Sequence, residues 1–245
     1  MNYQLEVCID NIESLHTAIK AGATRIELCS SLALGGLTPS FGFMKQAKQA
    51  SSIPIYAMIR PRQGDFLFSD EDVEIMLADI QAAKNANLDG IVIGVLTADA
   101  HVNVSVCKKL ISAASGLGVT FHRAIDQCQN VERALEDIIS LGCERILTSG
   151  QRSTALAGIE TLAKLHQQAA GRIQIMAGAG VNADNALEIL NKTGIKELHL
   201  SGKTVRSSKM NSIQSEAQMG ASDVDDFQIP VTSFTAIQSV KSIYK

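Results

Sequence analysis

A short β-rich run followed by an amphipathic helical pattern recurs eight times along this chain. The junction between helix and strand repeats in AGATRIEL, LGCERILT and TGIKELHL, where glycine ends a helix just before a strand. Repeated βα units predict a parallel sheet with right-handed crossovers. Eight such units within 245 residues favour an α/β fold, a single (β/α)8 TIM barrel spanning 1–245. The predicted strands are 4–9, 25–30, 54–60, 90–96, 118–124, 145–150, 173–178 and 197–201.

A doubly wound open sheet is the alternative fold. Such a sheet rarely needs eight strands in so short a chain, and no GxGxxG motif opens the first helix. The closed barrel is therefore the fold we predict.

Capping residues mark several helix boundaries. Ser69, with Asp72 three residues later, resembles a capping box. Asn130 precedes a predicted helix that ends at Gly142. Asn182 likewise precedes a predicted helix, which Gly194 closes.

The repeat breaks after the eighth strand. Residues 207–229 are Ser-rich and polar, contain Met210, Met219 and Gly220, and have little periodicity. We predict an irregular segment there, followed by a last helix that begins near Thr232 or Ser233. The segment could cover a barrel face, contact a partner subunit or be mobile.

Composition excludes several classes of protein. The net charge is −3 with no basic run, which argues against a nucleic-acid partner. No apolar run approaches the roughly 20 residues that span a bilayer, and MNYQLEV does not resemble a signal peptide. The five scattered cysteines include no CxxC and argue against a structural zinc site or a disulfide framework. We expect a cytoplasmic homo-oligomer, a dimer, that contacts neither membrane nor nucleic acid.

Two early strands, LEVCID and RIELCS, place a carboxylate and a thiol on the same face. In a TIM barrel the aliphatic face of each strand packs on the helices and the other face points inward. The inward residues predicted in this way are Glu6, Cys8, Glu27, Cys29, Met58, Arg60, Thr120, His122, Met176, Gly178, His199 and Ser201.

Buried carboxylates need partners, and we expect Arg60 and protonated histidines to balance Glu6 and Glu27. A purely structural ion network is one interpretation. However, polar residues also cluster where four strands end, and active sites of this fold lie at that end. These residues are Arg60, Arg62, Asp65, His122, Arg123, Asp126, Thr148, Ser149, His199, Ser201 and Lys203. The catalytic candidates are Glu6, Glu27, Arg60, His122 and His199.

Glycines follow the last two barrel strands. TIM barrels often bind phosphate in these two loops, where glycine lets backbone N–H groups approach an anion. We predict an anion site for a phosphate- or carboxylate-bearing ligand, with an arginine clamp. Its candidate residues are Arg62, Gly178, Gly180, Ser201 and Gly202.

Several long motifs together resemble the CutC family, which is named for copper homeostasis. They are LEVCID, AGATRIELCSSLALGGLTPS, MIRPRQGDF, TFHRAID, RILTSGQ and IMAGAGV, in order between about residues 3 and 205. The resemblance implies a cytoplasmic TIM barrel in which Cys8 and Cys29 are candidate copper(I) ligands. Gln151 and Ala179 depart from the glycine pattern of the family, and both departures bear on the predicted anion loops.

Two functional hypotheses follow. The first is a protein of copper homeostasis that binds copper(I) through Cys8 and Cys29, since copper(I) favours soft thiolates. The second is an enzyme acting on a small anionic metabolite, with His122 or a glutamate as general acid or base and arginines binding the anion.

Overall fold

Eight parallel strands close into a barrel in the computed structural model of the chain, which describes residues 3–211, 216–217 and 224–244. Each strand pairs with its neighbour in sequence, and the first strand pairs with the eighth. The strands are β1 (Gln4–Ile9), β2 (Arg25–Leu28), β3 (Ile55–Met58), β4 (Gly90–Ile93), β5 (Gly118–Phe121), β6 (Arg145–Thr148), β7 (Gln174–Ala177) and β8 (Glu197–Leu200). The predicted TIM barrel is confirmed.

Helices follow the barrel strands and surround them. They are α1 (Ile12–Ala21), α2 (Phe41–Ala50), α3 (Asp70–Asn85), α4 (Val104–Ala113), α5 (Val131–Ser140), α6 (Ile159–Ala169), α7 (Ala186–Thr193) and α8 (Phe234–Ser242). Short 3-10 turns occupy Leu32–Leu34 and Arg123–Gln127. Within the part of the chain that the structure describes, no helix is both long and apolar enough to cross a membrane.

The predicted helix boundaries are mostly confirmed. Ser69 and Asp72 form the capping box of α3, and the Asn130 side chain caps α5. The predicted start of α7 is wrong by several residues. Asn182 instead accepts a hydrogen bond from the Asp184 backbone N at 2.9 Å, a turn that delays the helix until Ala186.

The segment after β8 contains a hairpin that was not predicted. Two further strands, β9 (Lys203–Ser207) and β10 (Gln228–Thr232), pair antiparallel with each other, so both ends of the supposedly irregular 207–229 segment are β-strand. Residues 212–215 and 218–223, including Met219 and Gly220, lie outside the described residues. The last helix begins at Phe234 with Ser233 as its N-cap, as predicted.

The N-terminal end of the barrel is closed by an ion network. Arg25 pairs with Glu197 at 2.9 Å, and Arg145 pairs with the same carboxylate at 3.1 Å. Both guanidinium groups lie over the ring of Tyr56, whose hydroxyl donates to Glu144 at 2.7 Å. These contacts hold β2, β3, β6 and β8 together at that end of the barrel.

Candidate functional site

A cavity of about 900 Å³ lies at the C-terminal end of the barrel, where TIM-barrel active sites occur. Inward-facing side chains from several strands form its polar wall. They include Cys8 from β1, Glu27 from β2, Arg60 after β3, His122 after β5, and His199 and Ser201 from β8 and its end. Of the five catalytic candidates, only Glu6 is not part of the cavity wall; it lies beneath His199 and is fully buried.

Glu6 is held as a carboxylate by two partners. Its side chain pairs with Arg25 and lies 2.7 Å from His199 Nδ1. Burial raises the pKa of Glu6, but the Arg25 charge and the His199 hydrogen bond outweigh burial and lower it to about 2. Burial likewise opposes charge on His199, yet its surroundings, chiefly Cys8 and Glu27, raise its pKa well above the usual value.

The expectation that Arg60 balances Glu6 and Glu27 is wrong. Among the described residues no carboxylate pairs with Arg60, whose Nη1 and Nη2 donate instead to backbone carbonyls of Leu34, Gly36 and Gly64 at 2.8–3.2 Å. The positive charge beside Glu6 comes instead from Arg25, which lies on β2 two residues before Glu27. Arg25 therefore shares the Glu27 face of the strand, but alternation does not identify which partners meet across the barrel.

Glu27 is buried with incomplete pairing. Its Oε2 accepts from the Cys29 thiol at 3.5 Å and lies 3.8 Å from His199 Nε2, while its Oε1 has no partner. Burial raises its pKa to about 7, since the His199 charge offsets only part of the cost and Glu6 adds to it. Glu27 can therefore exist both with and without its proton near neutral pH.

His122 is a neutral imidazole in the opposite part of the wall. Burial, and secondarily the Arg60 charge, lower its pKa to about 3. Space for the ring exists because Gly94 on the neighbouring strand end has no side chain: a Cβ there would lie 2.4 Å from His122 Cε1. The ring of Phe66 packs against the imidazole with centroids 4.8 Å apart.

Three buried polar side-chain atoms lack a hydrogen-bond partner in the described part of the chain. They are Glu27 Oε1, Arg60 Nε and His122 Nε2. All three residues line the cavity. Buried polar atoms are almost always paired, so three unpaired ones in residues around one cavity make that cavity the candidate binding site.

One set of side chains could hold a metal ion. Ligand atoms of Cys8, Glu27 and His199 lie within 4.8 Å of one another. The hydrogen bond from His199 Nδ1 to Glu6 would orient Nε2 for coordination, as carboxylates commonly do for metal-binding histidines. Cys29 lies outside this group; burial and Glu27 raise the pKa of its thiol well above the usual value, which opposes the thiolate form.

The residues predicted to bind an anion are only partly brought together. Gly180, Ser201 and Gly202 line the cavity, beside Lys203 and the first turn of α8. Gly178 does not: a Cβ there would lie 2.5 Å from Leu147 Cδ1, so this glycine accommodates core packing. Arg62 is also outside the wall, with its guanidinium engaged by Asp65 and Asp72.

Asp126, Thr148, Ser149 and Arg123, from the predicted polar cluster, hydrogen-bond to one another and stabilise the loops around the cavity. The Asp126 carboxylate accepts from the Thr148 hydroxyl at 2.6 Å and from the Ser149 backbone N at 3.0 Å. Arg123 pairs with the same carboxylate at 2.8 Å. These contacts fix the loop after β6 against the turn after β5, and so shape one rim of the cavity.

Sequence reasoning missed Phe66 and the carbonyls of the loop that holds Arg60. Phe66 follows MIRPRQGD, outside any periodic element, so alternation could not assign it to the site. Its aromatic side chain beside two arginines and an aspartate was the only signal available.

Comparison with known proteins gives consistent results. The CutC family model matches residues 3–204. The family protein CutC of Vibrio campbellii is 62% identical over 242 residues, covering 98% of each chain. The CutC protein of Photobacterium profundum is 60% identical over 240 residues, again covering 98% of each.

Solved structures agree on the fold. The crystal structure of CutC from Streptococcus agalactiae matches with a TM-score of 0.78 and 35% identity, covering 82% of this chain and 99% of that one. Phosphoribosylanthranilate isomerase from Thermotoga maritima matches with a TM-score of 0.59 at 12% identity, covering 99% and 98%, which shows only the shared barrel. On the family match and the identity to these relatives, the chain belongs to the CutC family.

Proposed function

We propose that this protein is an enzyme that binds a small organic acid in the barrel mouth and transfers a proton within it. The observation that carries the proposal is the set of three unpaired buried atoms around one cavity of about 900 Å³. A cavity of this size suits a small metabolite. An unpaired carboxyl oxygen and two unpaired N–H groups in the residues of its wall suit a ligand with both a removable proton and an acceptor oxygen.

Glu27 is the group proposed to move the proton. A C–H bond beside a carbonyl or carboxyl group breaks, its proton passes to Glu27 Oε1, and its electron pair moves into the carbon–oxygen system to form an enolate. Return of the proton from Glu27 to the same or a neighbouring carbon completes the reaction. A pKa near 7 permits both steps at neutral pH.

The other end of the cavity suits the anionic part of the ligand. Gly180, Ser201 and Lys203 line it, together with Thr235 at the start of α8. A helix N-terminus favours negative charge because its first N–H groups have no helical partner. We therefore include a phosphate or second carboxylate in the proposed ligand.

Equilibrium dialysis against a defined panel of hydroxy and keto acids, each with and without a phosphate group, tests the proposal. The wild-type protein should retain at least one compound. Lys203→Gln should weaken retention of the phosphorylated members, whereas Lys109→Gln, which removes an exposed lysine paired with Glu74, should not. Retention of no member would reject the proposal.

Copper(I) binding is a second candidate, supported by the Cys8, Glu27 and His199 group. Thiolate and imidazole are suitable copper ligands, and the Streptococcus agalactiae relative carries a copper-homeostasis name. Here copper would be the cargo. Competition with a copper(I) chelator should show tight binding that Cys8→Ser reduces and Cys128→Ser does not. Equal affinity in all variants would reject it.

We also propose that the protein acts in the cytoplasm as a homodimer. All five cysteines are unpaired and buried, which suits a reducing compartment. Light scattering on the purified protein would measure the mass, and a monomer at micromolar concentration would contradict the dimer.

A further inference from the structure

The hydrogen bonding of His122 identifies which ring nitrogen carries its proton. Nδ1 accepts a hydrogen bond from the Ala124 backbone N at 3.1 Å, so Nδ1 has no proton. The neutral ring must then carry its hydrogen on Nε2. That N–H group is buried without a partner in a residue that lines the cavity.

Arg60 offers a second donor of the same kind. Its two terminal nitrogens are fixed by the carbonyls of Leu34, Gly36 and Gly64, which leaves Nε–H unpaired. Three backbone acceptors therefore immobilise the guanidinium while its Nε has no partner, although the residue is only 6% exposed.

Arg60 and His122 pack against the same aromatic ring. The Arg60 guanidinium carbon lies 5.1 Å from the centroid of Phe66, and the His122 ring lies 4.8 Å from the same centroid. Both groups are thus held by packing and by backbone hydrogen bonds before any ligand arrives.

We infer that Arg60 Nε and His122 Nε2 form a two-donor site for one oxygen of the ligand, an oxygen that is negatively charged or becomes so during reaction. This inference rests on the proposed function and specifies its substrate class: a carboxylate, or a carbonyl compound that passes through an enolate. His122 is thereby a fixed donor, and the general acid or base role predicted for it passes to Glu27. Donors fixed in advance stabilise developing charge without reorganising.

The test uses oxalate, a planar dianion that resembles an enolate with an adjacent carboxylate. In protein labelled with 15N-histidine, His122 should show the Nε2-protonated neutral form, and its Nε2 hydrogen should move downfield as oxalate is added. His122→Asn is the informative variant, since an asparagine oxygen can still cap the turn that His122 begins while the Nε2 donor is lost. Oxalate affinity should fall at least about tenfold, the loss expected for one hydrogen bond to a charged group.

Controls separate this inference from the broader proposal. His101→Asn should bind oxalate as the wild type does, and circular dichroism should show that His122→Asn is folded. Arg60→Lys, which keeps a positive charge but lacks Nε, should also lose affinity. Equal oxalate affinity in wild type and His122→Asn, or a His122 resonance that oxalate never moves, would overturn the donor pair. Retention of a panel compound by the wild type would still support the broader proposal in that case.

Discussion

Glu6 and Glu27 are buried carboxyl groups on adjoining strands, yet their pKa values shift in opposite directions. Glu6 has Arg25 beside it and is lowered to about 2, whereas Glu27 has only partial compensation and is raised to about 7. Alternation predicted that both would face inward, because side-chain direction depends only on strand period. It could not predict the difference, which depends on contacts between residues distant in the chain: Arg25 is 19 positions from Glu6, and His199 is 193 positions from it.

The raised pKa of Glu27 predicts a stability effect. The folded state binds its proton more tightly than the unfolded state between the usual 4.5 and about 7, so this group lowers stability as pH rises through that range. Glu27→Gln should therefore increase the free energy of unfolding near pH 8, by on the order of 3 kcal/mol, and have little effect near pH 4. Urea unfolding at both pH values measures this.

Glu74→Gln, at an exposed position, serves as the control and should show no such pH dependence. A Glu27→Gln protein that is less stable than the wild type near pH 8 would mean that the Glu27 charge is net stabilising.

Arg25 is the residue whose loss we expect to be most damaging among the buried ions. Arg25→Met leaves Glu6 and Glu197 without this counter-charge and should cost about 3–5 kcal/mol. The wild-type contribution of Glu6 is present above pH 4.5 and is lost as pH falls towards 2, so the variant should also lose part of that acid dependence.

Thermal unfolding between acid and neutral pH measures both effects. Arg172→Met removes an exposed pair with Glu136 and should cost much less stability, because solvent screens that pair. Similar losses of stability in the two variants would show that the ion pairs of Arg25 contribute no more than an exposed pair does.

The barrel strands were predictable from sequence because each is a short apolar run with a clear alternation. The hairpin was not, because β9 and β10 are five residues each and pair only with one another across a long polar insertion. The predicted start of α7 was wrong for a local reason, because the Asn182 side chain caps a turn and not the helix.

The backbone of Ala179, in the loop between β7 and α7, leads to a further prediction. Its φ is +79°, in the left-handed region, and the family resemblance placed glycine there. Ala179→Gly should relieve that strain and raise stability by about 0.5–1 kcal/mol, after allowing for a more flexible unfolded chain. Denaturant unfolding measures the gain.

Ala177→Gly on β7 is the matched control. Ala177 has ordinary strand geometry and is fully buried, so glycine there should lower stability by about 1 kcal/mol. A loss of stability in Ala179→Gly would mean that its methyl group contributes more by packing than the backbone strain costs.

The molecule as a whole combines a barrel closed at its N-terminal end with an open polar cavity at the other. The ion network at the N-terminal end and the unpaired groups at the C-terminal end both lie on the inward face of the strands, which the sequence predicted to be polar. Location of the site followed from the fold, since strand ends converge at one mouth. The fold alone does not decide between a site centred on thiols and one centred on a carboxyl group, because that choice depends on which buried atoms remain unpaired.

Deuterium incorporation tests most directly whether Glu27 moves a proton on a bound organic acid. The protein is incubated in D2O with the panel of keto and hydroxy acids, and mass spectrometry follows the C–H positions. We predict that the wild type introduces deuterium beside the carbonyl or carboxyl group of at least one compound, and that Glu27→Gln does not. Incorporation that is absent with the wild type, or equal with Glu27→Gln, would contradict this account.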